Sequence, residues 1–256
     1  MKFQYCVVGI RDSAQSLMRL IEQHGRDTIS SGIDGKKIVI SSTIQNSRIT
    51  KIFLGRNMTP GEIGCALSHQ IGHELAAPNT DWLIVIEDDV RLTGKIEDFE
   101  AILKKIPVNK GMVVSDRYDN DLPVNAVLPP TIRPYRTHLY AINKQALKMA
   151  TQQKGKVLTT ADWPIQWCFL IDFIVVNQDT FTLREESSLI AAERILLQQQ
   201  RNEKYNDPPF FEKIFPRKML TFKKFLKFIP RYFVLKFEKL PHAFKTSWSS
   251  VNSNLF

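Results

Sequence analysis

The stretch LIVIEDDVRL, residues 83–92, decides how the rest of the chain is read. Leu83 to Ile86 are apolar, Glu87, Asp88 and Asp89 are three successive carboxylates, and the chain turns apolar again at Val90. A short continuous apolar run is the pattern of a strand buried on both faces, as in a parallel sheet. In an open α/β sheet, ligands gather beyond the carboxyl ends of the strands. Three adjacent carboxylates repel one another. A bound divalent cation would remove that repulsion, and hard oxygen ligands suit Mg²⁺ or Mn²⁺. Taken alone, the triplet also fits a solvated acidic turn.

Working outward, strand and helix patterns alternate. YCVVGI (5–10) reads as a buried strand, and DSAQSLMRLIEQHG (12–25) as an amphipathic helix that Asp12 or Ser13 caps and Gly25 ends. After the turn GIDGK, KKIVIS (36–41) reads as another short strand. TPGEIGCALSHQIGHELAAP (59–78) reads as a helix with Thr59 as its cap, Pro60 at the first helical position and Glu62 completing a capping box. IEDFEAILKKI (96–106) is a helix, KGMVVSD (110–116) a strand, and HLYAINKQALKMATQQ (138–153) a strand running into a helix. This alternation predicts an α/β fold whose sheet is covered on both faces. Neither GxGxxG nor GxxxxGK[ST] occurs, so a dinucleotide site or P-loop is unsupported.

Charge divides the 256 residues unevenly. Residues 201–256 hold 12 Lys and Arg against 4 Asp and Glu, whereas the preceding 200 hold 23 against 22. The body is near neutral and the tail basic, so an anionic partner would meet the tail. Two regions are expected: a globular domain over 1–206 and a basic amphipathic extension over 207–256. Within the extension, RKMLTFKKFLKF (217–228) is expected as a helix with Leu220, Phe225 and Phe228 on one side and Lys223, Lys224 and Lys227 on the other. Together with Arg231, these lysines suit an anionic membrane surface. The three cysteines contain no CxxC pair, which argues against a disulfide framework or structural zinc and fits a reducing cytosol. The opening residues are expected to be a strand and not a signal peptide. No stretch approaches the length of apolar sequence that crosses a membrane.

GEIGCALSH (61–69) followed by IVIEDDV (84–90) resembles glycosyltransferase family 25, the lipooligosaccharide and collagen galactosyltransferase-like family. The resemblance extends over roughly residues 1–180. GIDGKK (32–37) is similar to the end of the family's N-terminal block, RTHLYAINKQALKMA (136–150) to a segment near the acceptor site, and ADWPIQW (161–167) to a divergent later block. The double-Arg signature common in the opening block is missing, and only Arg11 stands there.

The resemblance implies a GT-A-type fold with a mixed, mainly parallel sheet. It implies a UDP-sugar donor, galactose favoured, and a lipid-linked oligosaccharide acceptor. Asp89 would bind Mn²⁺ or Mg²⁺, with Glu87 or Asp88 facing the ribose or a second position on the metal. Arg11, Asp34, Gly35, Glu62, Ser68 and His69 would form the rest of the nucleotide-sugar pocket. An inverting transferase needs a base on the acceptor hydroxyl. Asp162 is the first choice, with Trp163 or Trp167 as a sugar platform; a helix cap ahead of Pro164 explains Asp162 equally well.

His69 and His73 stand four apart, a spacing that can chelate zinc, but HQIGHE is not the metalloprotease pattern. The bland reading of His73 is a satisfied core histidine, and of Cys65 a small buried residue. His69 would act indirectly, by orienting Ser68 or closing the nucleotide pocket.

The acceptor implies a cytoplasmic protein held peripherally at the inner face of a bacterial inner membrane. The rival class is a basic adaptor for nucleic acid or membrane surfaces with a non-catalytic body. The body's neutrality and lack of a nucleic-acid motif count against nucleic acid. A metal-dependent phosphatase or nuclease needs a second cluster of ligands that the sequence does not offer.

Overall fold

The computed structural model describes residues 1–41, 44, 50, 57–106, 111–115, 127, 138–152, 157 and 171–183. Along them run β1 (Phe3–Val8), α1 (Asp12–Gln23), β2 (Thr28–Ser31), α2 (Pro60–Leu75), β3 (Trp82–Glu87), β4 (Val90–Leu92), α3 (Ile96–Lys105), β5 (Gly111–Ser115), β6 (Leu139–Asn143), α4 (Lys144–Gln152), β7 (Asp172–Val176) and β8 (Phe181–Leu183). The main sheet has the order β2-β1-β3-β6-β5-β7, and β4 and β8 form a small antiparallel pair. The β1/β2, β1/β3 and β5/β7 pairings are parallel, and β6 runs antiparallel to both its neighbours. The sheet is therefore mixed and mainly parallel, as expected.

Side-chain alternation along the strands builds two cores. Tyr5, Val7, Ile84, Ile86, Leu139 and Ala141 pack with Leu17 and Ile21 of α1 and Ile96, Phe99 and Leu103 of α3. Cys6, Val8, Leu83, Val85, Tyr140 and Ile142 point the other way and pack with Ala146, Leu147 and Ala150 of α4. On that second face, α2 lies so close that a methyl group on Gly72 would meet the Cys6 sulfur. Burial on both faces explains why β3 reads as an unbroken apolar run. On the α1/α3 face the buried Glu100 carboxylate accepts from Tyr5 Oη at 3.0 Å and from Arg26 Nε at 2.7 Å, tying α3 to the β1/β2 edge.

Two local expectations are corrected. The second strand is Thr28–Ser31, not 36–41. Asp34 closes a turn first, its Oδ1 accepting from Lys36 N and its carbonyl from Lys37 N. The apolar alternation that followed is real, but Ile38 and Ile40 pack beside Met58, Ile63 and Ala66 instead of joining the sheet, and Val39 is exposed. At the start of α1 the cap position is Arg11, with no side-chain cap bond, so neither Asp12 nor Ser13 caps the helix. Gly25 does follow the end of α1, with a left-handed φ of 72°. The capping box of α2 forms as expected: Glu62 N donates to Thr59 Oγ1 at 3.1 Å and Thr59 N to Glu62 Oε2 at 2.8 Å.

The order β2-β1-β3 positions the functional end of the sheet. The chain leaves β1 toward β2 on one side, and the strands after β3 lie on the other. A crevice at such a reversal opens beyond the carboxyl ends of β1 and β3. The first turn of α2 roofs its β2 side through glycine contacts. A methyl on Gly64 would stand 2.5 Å from the Ile33 carbonyl oxygen and 2.6 Å from Gly35 N. Gly64→Ala is therefore expected to lower stability by about 1–3 kcal/mol, the usual cost of overpacking. Urea unfolding measures this, and an unchanged midpoint would mean that α2 is free to shift.

Candidate functional site

The residues that leave β1, β2 and β3 meet at one end of the sheet. Gly9 N donates to Ser31 O at 3.0 Å, and Asp88 N donates to Val8 O at 2.9 Å, so the pairing outlasts the strands by a residue. A methyl on Gly9 would run into the Asp88 side chain, and one on Gly32 into the Gly9 carbonyl. The backbone here approaches as only glycine allows. On the β2 side, Ser68 Oγ donates to Gly64 O and accepts from Ile33 N, both at 2.8 Å. Ser68 thereby fixes the loop that carries Asp34 and Gly35. The Asp34 carboxylate lies 3.6 Å from Lys37 Nζ.

The three carboxylates divide between environments. Alternation sends Glu87 to the α2 face and Asp88 toward α1. Asp88 Oδ2 accepts from Arg11 N at 3.2 Å. Burial raises the Asp88 pKa, opposed by the Arg11 amide and charge. Asp89 is pushed up to about 7 by burial, then by the charges of Glu87 and Asp88. Its Oδ1 is buried and, among the described residues, has no hydrogen-bond partner.

Glu87 is held by a buried chain of side chains. Its Oε1 lies 3.1 Å from His69 Nε2, His69 Nδ1 lies 2.9 Å from Tyr140 Oη, and Tyr140 Oη lies 2.8 Å from His73 Nε2. A carboxylate only accepts, so with a neutral His69 the proton sits on Nε2 and the chain runs one way. His73 donates to Tyr140, Tyr140 to His69, and His69 to Glu87. Burial, with the charge of His69, pushes the His73 pKa down to about 3, so His73 stays neutral. It is a satisfied core histidine, and the spacing of His69 and His73 serves a shared tyrosine. His69 orients Glu87, where the expectation was that it orients Ser68 or closes the nucleotide pocket; Ser68 Oγ bonds to Gly64 O and Ile33 N instead. Cys65 is half-buried, not a buried filler, and together with His69 and Glu87 it forms a group whose ligand atoms all lie within 4.8 Å of one another.

Arg11, Asp34, Gly35, Glu62, Ser68, His69, Glu87, Asp88 and Asp89 thus lie on the three strand ends and on the half of α2 that covers them. The Glu62 carboxylate is engaged in the helix cap. Asp162, Trp163, Trp167, Lys223, Lys224, Lys227 and Arg231 lie outside the described residues. Sequence reasoning missed Tyr140, whose tyrosine in an apolar strand carried no signal of two histidine partners. It also missed Gly9 and Gly32, although glycine directly after an apolar strand does mark close backbone approach.

A family model described as glycosyltransferase family 25 (LPS biosynthesis protein) matches residues 20–160, more than half of the chain. No curated protein matches. Among solved structures, a glycosyltransferase involved in glycosylation of the major capsid of PBCV-1 is 12% identical at a TM-score of 0.34, covering 59% of this chain and 65% of that one. A Drosophila β1,4-galactosyltransferase 7 mutant in complex with manganese, UDP-Gal and xylobiose is 10% identical at 0.33, covering 86% and 82%. The catalytic domain of the same Drosophila enzyme with xylobiose is 12% identical at 0.32, covering 75% and 79%. These likenesses are distant, and the functional reading rests on the family.

The raised pKa of Asp89 has a stability consequence with a definite sign. Between its unfolded value of 3.8 and its folded value of about 7, the folded protein binds more protons than the unfolded one. Stability therefore falls as pH rises through that window. In chelator-treated protein, Asp89→Asn is expected to raise the melting temperature most above pH 7. The gain should shrink steadily as pH falls from 7 toward 4. A gain independent of pH would place the benefit elsewhere.

Proposed function

The chain belongs to glycosyltransferase family 25, and from that premise we propose a metal-dependent, inverting hexosyltransferase that moves galactose from a UDP-sugar to a lipooligosaccharide acceptor. The supporting observation is Asp89: a buried carboxylate oxygen without a partner among the described residues, beside two further carboxylates at the end of a parallel strand. That environment fits a hard divalent cation, Mn²⁺ or Mg²⁺, with Asp89 as ligand and Asp88 and Glu87 lending charge. When bound, such a cation neutralises the charge that develops on the departing diphosphate. A GT-A-type fold goes with this reading.

The chain's own residues supply the rest. Arg11 stands at the start of α1, where a cation and the helix's first amides favour phosphate. Asp88, bonded to the Arg11 amide, keeps that corner in register with β3. Ser68 holds the Asp34–Gly35 loop, and His69 holds Glu87 on the α2 side, which leaves Asp88 and Asp89 to the donor. Asp162 takes the proton of the acceptor hydroxyl, with Trp163 or Trp167 as the sugar platform. This last assignment rests on the family's later block alone.

A panel of UDP-sugars assayed for transfer and hydrolysis with Mn²⁺ tests the reading directly, with turnover of UDP-galactose expected. Asp89→Asn should fold and lose roughly 10²–10³-fold in kcat, the scale of removing one electrostatic group. Asp162→Asn should depress kcat while UDP affinity stays unchanged. Full turnover in both Asp89→Asn and chelated enzyme would refute the metal; loss of UDP affinity with early melting would make Asp162 structural.

The basic tail supports peripheral attachment to an anionic membrane at the cytoplasmic face, since each cation near such a surface contributes about 1 kcal/mol and the attraction weakens with salt. No helix among the described residues is long and apolar enough to cross a membrane. Truncation near Pro208 should preserve donor hydrolysis and abolish binding to anionic vesicles at low salt. A truncated chain that fails to fold would assign the tail to the core.

A further inference from the structure

We propose that Cys65, His69 and Glu87 form a second cation site, separate from Asp89, that takes a borderline-soft ion of the zinc class. Cys65 and His69 stand four apart on α2, on one side of the helix, and Glu87 faces them from the end of β3. Their ligand atoms lie within 4.8 Å of one another, and His69 Nε2 and Glu87 Oε1 are already 3.1 Å apart. Ligands around a tetrahedral zinc ion, with bonds of about 2.0–2.3 Å, are roughly 3.3–3.8 Å apart. The widest pair has to close by about an ångström, which side-chain rotation supplies.

Ligand chemistry separates the two sites. A thiolate and an imidazole select zinc-class ions, while carboxylates alone suit Mg²⁺ or Mn²⁺. Three protein ligands also leave a fourth position open to water or a substrate oxygen. Glu87, its side chain 22% exposed, lies on the accessible side of the site.

The groups behind the site match what a metal-bound histidine needs. Such a histidine gives its lone pair to the ion and donates its other ring proton to an acceptor that fixes the ring. His69 Nδ1 faces Tyr140 Oη at 2.9 Å, and Tyr140 Oη faces His73 Nε2 at 2.8 Å. Every member of that chain can donate or accept. When an ion takes His69 Nε2, the displaced proton is made up at Nδ1 and the chain reverses: His69 Nδ1 donates to Tyr140, Tyr140 donates to His73 Nε2, and His73 becomes its other neutral tautomer with the proton on Nδ1. The Cys65 thiol proton leaves to solvent. The ion then clamps α2 to the end of β3 and keeps Glu87 turned away from Asp89.

Cobalt reports such a site without any turnover, so its outcome is independent of the glycosyltransferase reading. Chelator-treated, reduced full-length protein titrated with Co²⁺ should bind one ion with a thiolate-to-cobalt charge-transfer band. Cys65→Ser should abolish that band, and Asp89→Asn should retain it. Tyr140→Phe should weaken binding roughly 10- to 100-fold, the usual loss on removing a group that orients a ligand. If Cys65→Ser does not fold, the wild-type protein answers the same question: Zn²⁺ should slow alkylation of the Cys65 peptide but not that of Cys6 or Cys168. No thiolate band, a band that survives in Cys65→Ser, or alkylation of Cys65 unaffected by Zn²⁺ would each overturn the proposal.

Discussion

The structure around the site depends on one electrostatic conflict, three consecutive carboxylates set at the rim of a buried strand. Two unit charges 4 Å apart repel by about 4 kcal/mol at the effective dielectric of a protein surface. Glu87, Asp88 and Asp89 meet that cost in three ways. Glu87 turns to α2 and accepts from His69. Asp88 turns to α1 and accepts from the Arg11 amide. Asp89 holds its proton to about pH 7. Each solution constrains a neighbour. The first requires an imidazole on the buried side of α2. The second requires a glycine at position 9, because any side chain there would displace Asp88. The third leaves a buried oxygen that a cation would satisfy.

The imidazole brings its own demands. A buried histidine needs partners for both ring nitrogens. Tyr140 supplies the second, and its hydroxyl in turn engages His73. Four side chains from α2, β3 and β6 are thereby locked into one polar chain inside an otherwise apolar face. A fully satisfied buried network of this kind specifies one packing arrangement, since any slip leaves a buried polar group unpaired. The register Val85↔Tyr140 fixes it, and a shift by one residue would send Tyr140 to the opposite core.

How far this was legible in the sequence follows from the range of each signal. The buried strand, the capping box and the α/β alternation are local patterns, and each was readable. The strand Thr28–Ser31 was not, because it is short and partly polar, while the stronger alternation at 36–41 belongs to a segment that packs on α2. β7 and β8 were also missed. The carboxylate triplet announced a site but could not announce its division, which depends on which face each residue takes and on what α2 brings there. Cys65 looked like filler for the same reason: its spacing to His69 was visible, and its proximity to Glu87 is a tertiary fact.

The reversal of β6 sets the charge balance of the crevice. Because β6 runs antiparallel to β3, its first residues lie beside the end of β3, with Leu139 opposite Ile86. The helix that follows, α4, consequently begins at the far end of the sheet, where Lys144 N bonds to Asp81 O at 2.8 Å. A parallel strand in that position would have turned at the crevice and presented a helix N-terminus to the carboxylates. As built, α1 starts at this end behind Arg11, and the α4 dipole is directed elsewhere. Among the described residues, the positive end of one helix and one arginine face three carboxylates, and burial, followed by the charges of Glu87 and Asp88, raises the Asp89 pKa to about 7. On the proposed reading, such a crevice would disfavour a free anionic diphosphate and favour one that arrives with its own cation.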